Sequence, residues 1–188
     1  MANNNRPITF NAEMIRAILD GRKTQTRRIM KPGIAGDACP FGQPGDRLWV
    51  RETWQGPLFD LEDMEAYAED SSKFENPNYC QYAADGGPRP EYVDADDNLR
   101  HGWCPSIHMP RWASRITLEI TGVRVERLND ISDQDALAEG CSTDDMMSGE
   151  ALSDVFGRVW RDIYGADSWF ENPWVWCISF RRVANDGE

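Results

Sequence analysis

Two stretches of the chain carry apolar side chains at helical spacing. Met14, Ile15, Ile18 and Leu19 predict a short amphipathic helix over residues 12–20, with Asn11 as its N-cap and Gly21 as its stop. Leu152, Val155, Phe156, Val159, Trp160 and Ile163 predict a longer helix that Gly165 ends. Alternation marks strands instead. In residues 47–54, Leu48 and Val50 alternate with Arg47, Trp49 and Arg51. Ile116, Leu118 and Ile120 share one face of 115–120, and Trp174, Trp176, Ile178 and Phe180 one face of 174–183. Residues 7–10 and 123–128 predict two further strands, with Gly122 allowing a turn or bulge before the second. Ser132 and Asp135 resemble a capping box opening a short helix that ends at Gly140, and an acidic loop over 141–150 follows.

Turn residues interrupt the pattern at 31–33 and 39–46. From about residue 57 to 100 the periodicity fades among prolines, the Gly86-Gly87 pair and acidic runs. This reads as an insertion, with a short helix near 61–67 and a strand near 79–83. Few strands follow a helix at the spacing of a parallel crossover unit, which argues against a doubly wound sheet. The expectation is one α+β domain over 1–188: a small, mostly antiparallel barrel with short flanking helices and the long acidic insertion at about 57–100.

Composition narrows the setting. Residues 1–6 carry no apolar run, the longest apolar stretches fall short of a membrane span, and five scattered cysteines do not form a disulfide framework. A cytoplasmic protein with no membrane partner is expected. The net charge of -12 speaks against a general nucleic-acid binder. The sum conceals blocks, however. Residues 1–56 hold nine Lys and Arg against five Asp and Glu, and 99–128 five against two, whereas 57–98 hold two against twelve and 129–188 four against thirteen. Such a pattern favours a small or single-stranded ligand at a local basic surface over a long duplex.

The chemistry-bearing stretch follows the first helix. Arg22, Lys23, Thr24, Thr26, Arg27 and Arg28 crowd into the segment between Gly21 and Ile29. A lysine in a partly buried, cation-rich loop has its neutral form favoured, and a neutral amine can take a proton from a threonine hydroxyl, a weak nucleophile unaided. Positions three apart point to opposite faces of a straight strand, so Lys23 and Thr26 converge only if the chain turns between them. The plainer alternative is a solvated basic loop complementing the helix end. Cys104 and His108, with His101 and Cys39, lack the close pairing of a zinc site, and no metal or cofactor is expected. Serine-hydrolase, Walker and dinucleotide-binding motifs are absent from the sequence.

Ile18-Leu19, Gly21, Lys23-Thr24, Thr26 and Arg28 together resemble the signature of the ASCH domain family, within the PUA-like superfamily of small β-barrels. Pro44-Gly45-Asp46 with Leu48-Trp49-Val50, and Ala136-Leu137-Ala138-Glu139-Gly140, fall in that family's order. Cys39-Pro40-Phe41-Gly42, His108-Met109-Pro110-Arg111-Trp112 and Asn172-Pro173-Trp174-Val175-Trp176 are similar to the longer phage and prophage members. Small bacterial members are amidohydrolases that deacylate N4-acetylcytidine with a threonine, a lysine and a glutamate. The resemblance implies Thr26 as nucleophile, Lys23 as its base and Glu139 as the orienting carboxylate. Arg28 is a candidate for oxyanion binding. Trp54 either stacks on a pyrimidine or is a core tryptophan, and Glu52 either reaches a base edge or pairs with an arginine.

Three functional classes follow, in this order: a metal-independent amidohydrolase acting on a small N4-acylated cytosine nucleoside or base; a non-catalytic PUA-like module binding single-stranded RNA or a modified base; and a phage accessory protein working through a protein partner.

Overall fold

The computed structural model describes residues 5–30, 38–93 and 98–184. The break expected at 31–33 lies outside the described residues. Strand β1 (Asn5–Thr9) leads to helix α1 (Ala12–Leu19), strand β2 (Gln25–Ile29), β3 (Arg47–Arg51) and the short β4 (Trp54–Gln55). The insertion region carries α2 (Met64–Glu69), β5 (Gln81–Tyr82), β6 (Glu91–Val93) and β7 (Leu99–His101). The long strand β8 (Thr117–Arg127), α3 (Asp133–Ala138), α4 (Leu152–Tyr164), α5 (Asp167–Phe170) and β9 (Trp174–Val183) complete the order.

The principal sheet has five strands in the order β1-β3-β8-β9-β2, and β4-β5 and β6-β7 form two small antiparallel ribbons. In the large sheet β2 runs antiparallel to β9, with Thr26 opposite Ile178 and Arg28 opposite Trp176. The result is a mixed α/β fold with a mostly antiparallel sheet. Among the described residues no pairing of β1 with β2 closes it into the barrel expected from the sequence.

Local signals read from the sequence form as expected. Asn11 Oδ1 accepts from the Met14 amide at 2.9 Å, and Ser132 Oγ accepts from the Asp135 amide at 3.1 Å. Two boundaries differ. The strand foreseen over 47–54 is divided into β3 and β4. The strands foreseen on either side of Gly122 are one, β8: Gly122 does not take the left-handed conformation, and the ladder continues through it.

The chain divides into two compact units. The first is built from the described residues of 17–48 and 118–183. Its core gathers Leu128, Ile131, Ala136, Leu152, Phe156, Trp160, Val175 and Cys177, so that α3 and α4 lay their apolar faces on β9. The second is built from the described residues of 7–16 and 49–117. There Trp54, Tyr82, Met109 and Ala113 form a core, and Phe59, Tyr67, Phe74 and Tyr79 gather into an aromatic group whose contacting rings have centroids 4.4–5.5 Å apart. The insertion thus has packing of its own, made by aromatic side chains rather than by periodic helices or strands.

Candidate active site

The first unit positions Lys23 by three backbone devices. Gly21 adopts φ +75° and lets the chain leave α1 sharply, its amide donating to the Ile18 carbonyl at 3.1 Å. The Lys23 amide then donates to the Ala17 carbonyl at 2.9 Å, folding the loop back over the last helical turn. Finally the Thr24 amide donates to the Ala138 carbonyl at 2.8 Å, tying the loop to the end of α3. Gly140 makes this approach possible. It sits at φ +95°, and a Cβ there would lie 3.1 Å from the Ala17 Cβ and 3.2 Å from the Lys23 Cβ.

This turn buries a lysine. The Lys23 side chain is 0% exposed, and Nζ donates to Glu139 Oε2 at 2.6 Å and to the Glu139 carbonyl at 2.8 Å. Burial pushes the Lys23 amine below its ordinary 10.5; Glu139 opposes the shift and the nearby Arg28 guanidinium adds to it. The loop is therefore no solvated basic surface at this position.

Glu139, at the end of α3, is held at both oxygens, for Arg27 Nη1 donates to Oε1 at 3.0 Å. Arg27 is itself fully buried. Its Nη2 bonds Glu126 Oε1 and lies 3.4 Å from Asp135 Oδ2. Arg124 braces the same two carboxylates, with Nε donating to Glu126 Oε2 at 3.0 Å and Nη2 to Asp135 Oδ1 at 2.8 Å. Its Nη1 donates to Gln25 Oε1 at 2.8 Å. Burial works against ionisation of Glu126 and Asp135. For Glu126, hydrogen bonds from Cys177, Arg27 and Arg124 prevail, and for Asp135 those from Gln25, Arg124 and Ser132, so both carboxyls lie below the ordinary range.

Thr26 is buried on β2. Strand alternation puts its side chain on the face of Arg28, opposite Gln25 and Arg27. Among the described residues no hydrogen bond joins the Thr26 hydroxyl to the Lys23 amine. The first unit thus brings Lys23 and Glu139 into contact, places Arg28 within electrostatic reach of Lys23, and sets Thr26 on the strand that Lys23 leads into.

Glu52 and Trp54 belong to the second unit. Arg115 grips the Glu52 carboxylate with two hydrogen bonds, 2.9 Å from Nε to Oε1 and 3.0 Å from Nη2 to Oε2, while lying 3.9 Å from the Tyr82 ring centroid. Burial nevertheless raises the Glu52 carboxyl above its ordinary value. Of the two roles open to Glu52 in the sequence, the structure records pairing with an arginine. Trp54 is 5% exposed and meets Trp112 edge-on at 5.5 Å, which is the core role of its two alternatives.

Arg27 is the residue whose part the sequence left unread, and Gly140, read there as a helix stop, also admits the close approach of Lys23. Arg27 stands beside Thr26 but faces the other way, toward carboxylates about a hundred positions distant. Parity along β2 is the signal that would have separated it from Arg28. Among the described residues no group of three His, Cys, Asp or Glu side chains is arranged to hold a metal ion, and no helix is long and apolar enough to cross a membrane.

No family model matches the chain. No curated protein matches it either. Solved structures with a related course of the chain include protein EF3133 of Enterococcus faecalis V583, from the DUF984 family, at 12% identity and a TM-score of 0.46, covering 100% of this chain and 85% of that one. An ASCH domain from Lactobacillus crispatus JV V101 is 14% identical with a TM-score of 0.47, over 97% of this chain and 81% of that one. The hypothetical protein PH0355 is 11% identical with a TM-score of 0.44, over 96% of this chain and 100% of that one. At these values the likeness assigns neither family nor function. The chemistry of the site rests on this chain's own side chains.

Proposed function

We propose that the chain is a metal-independent amidohydrolase that removes the acyl group from N4-acylated cytosine nucleosides, with Thr26 as nucleophile, Lys23 as general base and acid, and Glu139 as the carboxylate that orients Lys23. The reading takes the fold as an ASCH-like, PUA-like one, as the sequence resemblance implies. The observation that carries it is the Lys23 amine: wholly buried, lowered in pKa, and donating to two acceptors of a single residue. In its neutral form the amine offers a lone pair, and the two contacts to Glu139 hold it in place to receive a proton.

In this scheme Lys23 Nζ takes the proton of Thr26 Oγ1 as that oxygen attacks the acyl carbon. The tetrahedral oxyanion forms beside the Arg28 guanidinium, which supplies positive charge as it develops. The protonated Lys23 then gives its proton to the departing exocyclic amine, and the C–N bond breaks. A water molecule, deprotonated by Lys23, attacks the acyl ester on Thr26; the ester C–O bond breaks, Lys23 returns the proton to Thr26 Oγ1, and the acid leaves. Thr26 and Lys23 come together for this step only through a movement of the turn between them. Arg22 and Thr24, both exposed, flank the turn that would make it. The five cysteines, all free thiols, suit the reducing cytoplasm in which such a substrate pool would lie.

The test is a metal-free assay with N4-acetylcytidine, following loss of the acylated chromophore in the wild type, Thr26→Ala and Lys23→Ala. Wild-type turnover falling at least about a thousandfold in both variants is expected, as for removal of a nucleophile or its base. No wild-type turnover with any N4-acyl cytosine would overturn the reading and leave a module that binds a base or single-stranded RNA without chemistry.

A further inference from the structure

A buried lysine that must alternate between charged and neutral forms creates a difficulty for its carboxylate. The Glu139 side chain is 4% exposed, and whenever Lys23 is neutral its ammonium no longer balances that anion. An uncompensated buried carboxylate is costly, so a lone Lys–Glu pair would hold Lys23 in its protonated form. The structure supplies a second cation at the oxygen that Lys23 does not use: Arg27 Nη1 stands 3.0 Å from Glu139 Oε1.

We infer that Arg27 is a positioning residue whose guanidinium serves as the permanent counter-charge of Glu139, so that the Lys23 amine gives up and regains its proton without stranding the carboxylate. The inference rests on the deacylation reading for its catalytic consequence and on geometry alone for its electrostatic one. Arginine suits the role because it stays charged throughout the accessible pH range. Its ring neighbour suits it too, the guanidinium lying 5.6 Å from the Phe156 centroid on α4. Arg124 makes the assignment selective. Because it pairs with both Glu126 and Asp135, those anions do not depend on Arg27 alone, and Nη1 of Arg27 is directed to Glu139.

The charged and titratable groups facing Lys23 are Glu139 and Cys141 at the end of α3 and Arg28 from β2. Those facing Arg27 are Glu139, Glu126 of β8, Asp135 of α3 and the Cys177 thiol of β9, which burial pushes up to about 12. The thiols stay neutral near pH 7. Among the described residues, removing the Arg27 charge therefore leaves Lys23 as the sole direct cationic partner of Glu139, and the amine holds its proton more tightly.

The chain has three lysines, Lys23, Lys31 and Lys73, so protein labelled with 13C at lysine Cε gives three resonances, with Lys23 assigned by its loss in Lys23→Met. The Lys23 signal is titrated with pH in the wild type, in the charge-free Arg27→Gln and Arg27→Met, and in the charge-keeping Arg27→Lys, whose added resonance is identified by comparison. In the charge-free variants the Lys23 midpoint is expected to rise by about one pH unit or more, and in Arg27→Lys to stay within about half a unit of wild type. The acidic limb of kcat/KM for deacylation should move with it, lowering the rate near neutrality about tenfold while activity recovers at higher pH. A merely structural role would depress the whole profile and leave the limb in place. An unmoved Lys23 midpoint in a folded charge-free variant, or an equal displacement in Arg27→Lys, overturns the inference even if the wild type deacylates its substrate. A midpoint displaced in the charge-free variants while the wild type shows no turnover supports it and overturns the deacylation reading instead.

Discussion

Lys23 sets the tone at the scale of single residues, because it is an ionisable group whose burial has a thermodynamic signature independent of any substrate. Its folded pKa lies below the unfolded 10.5, chiefly through burial. Between those two values the unfolded chain binds one more proton than the folded one, so stability rises with pH across that window. Lys23→Met keeps the length of the side chain and removes the titration. The stability of the wild type relative to Lys23→Met should be flat below the folded pKa, rise by about 1.4 kcal/mol per unit of depression, and level off above 10.5. Urea unfolding from pH 6 upward reads this directly. A difference that falls as pH rises would mean that attraction to Glu139 outweighs burial.

How much of this site the sequence disclosed is clear from neighbouring residues. Lys23 was legible from the glycine-capped helix end, whereas Glu139 was marked only by the resemblance of the stretch before Gly140 to the ASCH signature. Arg27 was not legible, because three arginines near one lysine look alike until a strand face is assigned and its distant carboxylates are brought in. Trp54 and Glu52 were ambiguous for the same reason: only tertiary packing distinguishes a tryptophan that stacks on a ligand from one that meets Trp112, or a free carboxylate from one clasped by Arg115.

At the scale of elements, the two helix ends that build the site are both closed by glycine, yet for different reasons. Gly21 and Gly140 both adopt positive φ, but an added Cβ at Gly21 would meet nothing within 4 Å, whereas at Gly140 it would press on Ala17 and Lys23. Gly21→Ala should therefore cost about 1 kcal/mol, the left-handed penalty alone. Gly140→Ala should cost about 2–4 kcal/mol, because crowding is added. It should also displace Lys23 from Glu139. Thermal melts of the two variants compare the costs, and the Lys23 titration reports the displacement; equal melting losses would show that the close approach at Gly140 relaxes freely. The element pattern explains what else was legible. Helices α1 and α4 carry periodic apolar faces, and α3 is marked by its Ser132 cap. Strand β8 was read as two because glycine is a frequent strand breaker, and here the ladder runs on through it. The β6-β7 ribbon lacks an alternating buried face, its residues being mostly exposed, and so carried no pattern to detect.

For the whole molecule, charge decides what kind of substrate approaches. The block over residues 1–56 is the most basic by sequence, with nine cations against five anions, but the structure removes part of it from the surface. Lys23 and Arg27 are both buried on carboxylates. What a ligand meets from outside is consequently closer to the overall balance of -12 than the local sequence suggests. A free nucleoside is uncharged and indifferent to that field, while an RNA strand carries a negative charge at every phosphate and is repelled. Salt screens the repulsion over about 10 Å at 0.1 M. Deacylation of free N4-acetylcytidine should therefore be nearly insensitive to salt between about 0.02 and 0.2 M, a range over which the screening length falls severalfold. Deacylation of the same base within a single-stranded oligonucleotide should be slower at low salt and should accelerate as salt is added. The measurement is kcat/KM for both substrates across that range. Acceleration of the oligonucleotide would identify a nucleoside-level enzyme that tolerates polymer once its charge is screened. Slowing with salt would instead reveal a basic track along which the backbone is held, and would make RNA the substrate for which the site is built.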